Sequence, residues 1–170
     1  MAIGQQPFAL RQKLGDWAED TVISYFKSHP ELGIVAFPYG ERWGGKRKAE
    51  RDAVNRPDLL LLSRKDMSNL DSFGLNVEAF DLRALPDSDQ RLKRIVKHAL
   101  AALETKISFR FYARGHINFI IDEQRKKRYE IWLSRTESIG DIVVWFTLDK
   151  VFIAPMSKIL REGKQEERTY

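Results

Sequence analysis

Apolar residues recur at helical spacing early in the chain. Leu14, Trp17, Ala18, Val22, Tyr25 and Phe26 form one stripe, which predicts a helix over residues 9–28. Pro30 disfavours helical geometry in the residue before it, so the helix has to stop near His29. Ile34, Val35, Ala36 and Phe37, between Gly33 and Pro38, read as a short strand. Pro57-Asp58 then makes a turn into Leu59-Leu60-Leu61-Leu62, a continuous apolar run suited to a strand buried on both faces. Residues 63–87 are polar and mixed, with a short strand expected around Leu75 to Phe80. Asp87 or Ser88, just after Pro86, is placed to cap a helix running to about His98. Residues 101–108 alternate as a strand does, residues 122–136 read as a helix, and 142–146 and 151–153 read as two more strands.

Helices and strands are thus mixed throughout. The expected class is α/β or α+β, with a mixed central β-sheet flanked by helices. No repeat, low-complexity tract or linker divides residues 1–170, so a single domain is expected. At 43% hydrophobic and 31% charged residues the composition is globular rather than disordered or fibrous. The absence of cysteine excludes a disulfide framework, a thiolate zinc site and a cysteine nucleophile. His29, His98 and His116 lack metal-ligand spacing, which argues against a histidine-built zinc site. Met1 to Lys13 carries no basic-then-apolar signal pattern, and no apolar run is long enough to span a bilayer. The expectation is a soluble cytoplasmic protein with no membrane partner.

Charge narrows the partner. The net charge is +5 and the pI near 9.5, which favours an anionic partner, most commonly nucleic acid. Residues 40–56 interleave Gly40, Gly44 and Gly45 with Arg42, Lys46, Arg47, Lys48, Arg51 and Arg56, a basic segment with some helix expected at Lys46 to Val54. Gly40 to Lys46 matches G-x-x-x-x-G-K, but Arg47 stands where a phosphate-binding loop needs Ser or Thr for Mg²⁺. A nucleoside triphosphate site, and with it a nucleotide cofactor, is therefore rejected. A second basic stretch interleaves Arg110, Arg114 and His116 with Phe109, Phe111 and Tyr112.

The candidate chemistry lies on the two most apolar strands. A period of two sets Glu104, Lys106 and Ser108 on one face of the 101–108 strand, with Leu103, Thr105 and Ile107 on the other. Burying an acid and a lysine is costly unless something uses them. If the 59–62 strand is a neighbour, Asp58 and Glu104 converge at one edge with Lys106 beside them. Two carboxylates supply the hard oxygen ligands Mg²⁺ prefers and leave its other positions to water and a phosphate oxygen. A lysine is a compact point charge that can orient attacking water or share in proton removal. The plainer alternatives are a turn residue for Asp58 and a solvated edge-strand face for Glu104 and Lys106.

Arg56-Pro57-Asp58 followed by Leu59 to Leu62, then Ala102-Leu103-Glu104-Thr105-Lys106-Ile107-Ser108, resembles the PD-(D/E)XK nuclease superfamily, in phrasing most like type II restriction endonucleases. The resemblance implies a restriction-endonuclease-like core over about residues 15–108, with residues 109–170 adding a C-terminal helix and strands, and an insertion over residues 63–100. It implies that Asp58 and Glu104 are metal ligands and that Lys106 is the catalytic lysine. Glu19, in Asp16-Trp17-Ala18-Glu19, looks like the acid many members carry on the first helix, acting through a metal-bound water. The implied activity is Mg²⁺-dependent hydrolysis of double-stranded DNA, leaving a 5′-phosphate and a 3′-hydroxyl, by a homodimer matched to a palindrome. Arg42, Lys46, Arg47, Lys48, Arg51, Arg110 and Arg114 are the expected DNA contacts, since phosphates reward clustered basic groups. The alternatives are a structure-directed or repair nuclease of the same superfamily and a DNA-binding module without catalysis.

Overall fold

The computed structural model describes residues 8–40, 56–79, 81–107, 123–136 and 139–163. Five strands form one mixed sheet in the order β1-β2-β3-β4-β5, made of β1 (Ile34–Pro38), β2 (Leu59–Ser63), β3 (Ala101–Ile107), β4 (Gly140–Phe146) and β5 (Val151–Pro155). β3 and β4 are parallel and every other pairing is antiparallel. A parallel pair needs a crossover, and α4 (Glu123–Arg135) supplies it between β3 and β4. The fold class is α+β, as expected.

Helix α1 (Phe8–Ser28) ends one residue before His29, where Pro30 required it to stop. Its Ala18 and Val22 pack on one face of the sheet against Leu59, Leu61, Leu103, Val144 and Phe146. The opposite face carries Leu60, Leu62 and Ala102, covered by α2 (Arg64–Ser72), α3 (Gln90–His98) and Trp132 of α4. β2 is therefore sandwiched, and Leu59, Leu60, Leu61 and Leu62 are 0–5% exposed. Full burial on both faces is why its sequence shows no alternation.

The insertion differs from expectation. Among the described residues 75–79 no strand forms, and Phe80 lies outside the described residues. Gly74 turns the chain with φ of 76°, the Asn76 side chain accepts from Glu78 N–H at 3.0 Å, and Val77–Ala79 is a single 3-10 turn. Leu75 and Val77 are buried as core plugs rather than as strand residues. The cap of α3 is Asp89, whose side chain accepts from Arg91 N–H at 2.8 Å, not Asp87 or Ser88. Asp87 is instead the partner of Arg56. Helix α2 and the C-terminal α5 (Met156–Glu162) lay outside the sequence expectation, and each buries one residue, Leu70 and Met156. Among the described residues, no helix is long and apolar enough to cross a membrane.

Candidate active site

β2 and β3 are hydrogen-bonded neighbours in the register Leu59↔Leu103, Leu60↔Ala102 and Leu61↔Ala101. Continuing that register by one residue sets Asp58 opposite Glu104. The ladder stops there, and Asp58 fills the next rung itself: its Oδ2 accepts from Thr105 N–H at 2.6 Å and from Thr105 Oγ1–H at 2.7 Å. A carboxylate thus stands where a longer β2 would have offered a backbone carbonyl, which satisfies the Thr105 amide and fixes the acid in place. Thr105 was expected only as an apolar-face neighbour. Its role depends on where the pairing ends, which strand periodicity does not reveal.

Asp58 is held from behind as well. Its carbonyl accepts from both Tyr39 N–H at 2.8 Å and Gly40 N–H at 3.0 Å. A Cβ at Gly40 would lie 2.7 Å from the Pro57 oxygen and 3.0 Å from the Asp58 Cα, so only glycine permits this approach. Arg56 leaves the basic segment it was grouped with. It is buried, and it donates to Asp87 Oδ1 at 2.6 Å and to the carbonyls of Leu82 and Leu85 at 3.1 and 2.7 Å. Its guanidinium also sits 5.2 Å from the Tyr39 ring centroid. These bonds pin Arg56-Pro57-Asp58 to the insertion, which makes Arg56 a structural residue rather than a surface contact.

Glu104 and Lys106 lie on β3, the middle strand of five, so they are not on a solvated edge. Glu104 is only 4% exposed. Its Oε1 accepts from Lys106 Nζ and from the Tyr129 hydroxyl, and its Oε2 is buried without a hydrogen-bond partner. Tyr129 reaches the site from α4, the crossover helix, and is itself fully buried. Sequence reading missed it, because a tyrosine within Arg128-Tyr129-Glu130 carries no signal until the crossover lays it over β3.

The electrostatics follow from this packing. Burial raises the Asp58 carboxyl from its ordinary 3.8 to about 7, and the charges of Glu104 and Glu19 add to the rise while Lys106 and the Thr105 amide oppose it. Glu19 on α1 therefore lies within electrostatic range of Asp58, and the four expected residues share one neighbourhood. Asp58 and Glu104, the latter with an orphaned buried oxygen, share the Lys106 ammonium as a nearby positive charge. That donor set fits a hard divalent cation held by Asp58 and Glu104. Among the described residues no group of three or more His, Cys, Asp or Glu is placed to hold a metal ion.

Arg42, Lys46, Arg47, Lys48 and Arg51, with Arg110 and Arg114, lie outside the described residues, as does the helix expected at Lys46 to Val54. Their described flanks are informative, since Gly40 and Arg56 border Asp58 and Ile107 closes β3 three residues after Glu104. Lys126 and Lys127 pair with Glu130 and Glu123 at 3.9 and 3.2 Å, the pattern of a solvated helix face. Comparison with protein-family models, with curated proteins and with solved structures found no match.

Proposed function

We propose that this chain is a Mg²⁺-dependent endodeoxyribonuclease of the PD-(D/E)XK kind, restriction type, acting on double-stranded DNA. One observation carries the reading: the end of the β2–β3 ladder gathers Asp58, Glu104 and Lys106, two carboxylates and a cation at the rim of a packed sheet. When bound there, a divalent cation would lower the pKa of a water and neutralise charge developing on phosphate.

The chain's own groups divide the remaining work. Thr105 and Gly40 hold Asp58 in position, and Tyr129 orients Glu104. Lys106, released from Glu104 as that oxygen turns to another partner, is placed to orient the attacking water and to balance charge on the phosphate. Glu19 adds negative charge from the α1 side. Clustered basic residues in the sequence suit backbone phosphates, and one site per chain calls for two copies about a two-fold axis to cut both strands.

Digestion of supercoiled plasmid in Mg²⁺ and in EDTA tests the reading, with Lys106→Ala alongside. Metal-dependent cutting is expected, reduced in the variant by about 100-fold or more with DNA binding retained. Cutting in EDTA, or undiminished cutting by Lys106→Ala, would overturn it.

A further inference from the structure

A groove of about 750 Å³ opens between α3 and α4, on the sheet face that carries Glu104. That volume lies in the range of small-molecule sites. Its floor is apolar and aromatic, built from Tyr39, Leu92, Val96, Trp132 and Ile139. Trp132 Nε1–H donates to the Tyr39 hydroxyl at 3.5 Å, and burial keeps that phenol protonated, so the floor presents no charge. The rim is different. Lys93, Lys97 and Arg135 line it, and none forms an ion pair with a described residue. The lining carboxylate, Asp87, is already neutralised by Arg56. Ser88 and Thr136 add hydroxyls.

The groove also borders the candidate active site. Tyr39 donates its backbone N–H to the Asp58 carbonyl, and Trp132 lies one helical turn after Tyr129, whose hydroxyl holds Glu104. Trp132, Glu104 and Tyr129 together line a small second void beneath it.

An apolar floor with a cationic rim selects an anion that carries an uncharged body. The hydroxyls and the Asp87 acceptor favour a body with its own hydrogen-bonding edge, which an alkyl chain lacks. We propose that the groove holds a nucleotide unit, its base on the floor formed by Leu92, Val96 and Trp132 and its phosphate against Lys93, Lys97 and Arg135. In the setting of the proposed nuclease, on which this placement rests, that unit is a nucleotide turned out of the duplex. Bases tolerate such platforms irrespective of sequence, because each offers a flat apolar face.

The test is ligand-observed saturation-transfer NMR in EDTA, with deoxyadenosine monophosphate and a single-stranded thymidine pentanucleotide as probes. Wild type and Asp58→Asn are expected to bind both probes alike. Lys93→Glu/Lys97→Glu, at exposed positions, is expected to lose about tenfold or more in affinity with an unchanged circular dichroism spectrum. Val96→Glu, which narrows the floor without touching the rim, is expected to lose binding as well. Tighter binding of the pentanucleotide assigns the groove to a strand, and equal binding assigns it to a free nucleotide. Unchanged binding by the Lys93/Lys97 variant would overturn the proposal. So would displacement of the monophosphate by an equal concentration of inorganic phosphate, since the base would then contribute nothing. Failure here with metal-dependent plasmid cutting intact removes the groove and leaves the nuclease. Binding here without any cutting does the reverse.

Discussion

The two ends of the β2–β3 pair obey opposite rules. At one end Leu60, Leu61, Ala101 and Ala102 are buried between helices on both faces and paired across the ladder. Two residues further along the same register, Asp58 and Glu104 occupy equivalent places in the sheet, half-buried and buried, as acids facing one another. The apolar end gains free energy from every contact it makes. The acidic end loses it, because burial disfavours the charge of the Asp58 carboxyl. The loss is local, held in place by groups that serve no core: the Gly40 approach, the Thr105 bonds and the Arg56 anchor. A protein that spends stability at one strand end and gathers it at the other separates what folds the sheet from what the sheet presents.

Substitution should break this contrast in opposite directions. Leu60→Ala removes a fully buried side chain between α2, α3 and the sheet, and should cost about 3 kcal/mol. Chemical denaturation reads this directly, and a loss under ~1 kcal/mol would mean that the core collapses onto the gap. Asp58→Asn should instead stabilise the protein at pH 8. The amide oxygen can still accept from Thr105, and the disfavoured charge is gone, for a gain on the order of 1–2 kcal/mol once water at the rim is allowed for.

The sign follows from linkage. The folded Asp58 carboxyl titrates near 7 against an ordinary 3.8, so the folded state holds its proton more tightly. Its stabilising share is complete below about pH 4 and is lost as pH rises through about 7. The Tm of wild type should therefore fall relative to Asp58→Asn across that window, and a constant difference would contradict the assignment. Tyr129→Phe should have the smallest effect, about 1 kcal/mol of stability or less. It removes one of two donors to Glu104 Oε1 while Lys106 keeps the other. Titration of the divalent-cation affinity of the variant sharpens the point: a shift is expected if Tyr129 orients Glu104, and none if it merely packs.

Much of this layout was legible in the chain. Leu59 to Leu62 announced a doubly covered strand through continuous apolarity, and the alternation across Glu104, Thr105 and Lys106 put the acid and the lysine on one face. What stayed hidden depended on relations between elements. Thr105 became part of the site because the ladder stops one rung short. Tyr129 joined it because a crossover helix lies over β3, and Gly40 mattered because a neighbouring backbone passes within a carbon's reach. Helix α2 escaped notice because Arg64–Ser72 is mostly polar, with only Leu70 fully buried and Met67 partly so against the core. The strand expected near Leu75 failed for a related reason, since apolar residues around Gly74 serve equally as plugs in a turn.

The proposed function requires the acidic end of the strand pair to bind a divalent cation. Calorimetric titration of Mg²⁺ into the protein at pH 8, repeated with Asp58→Asn and Glu104→Gln, tests it most directly. One saturable site per chain is expected in wild type, weakened about tenfold or more by either substitution, with proton release that grows as the pH is lowered toward 7. Equal Mg²⁺ affinity in all three proteins, or none in wild type, would contradict it.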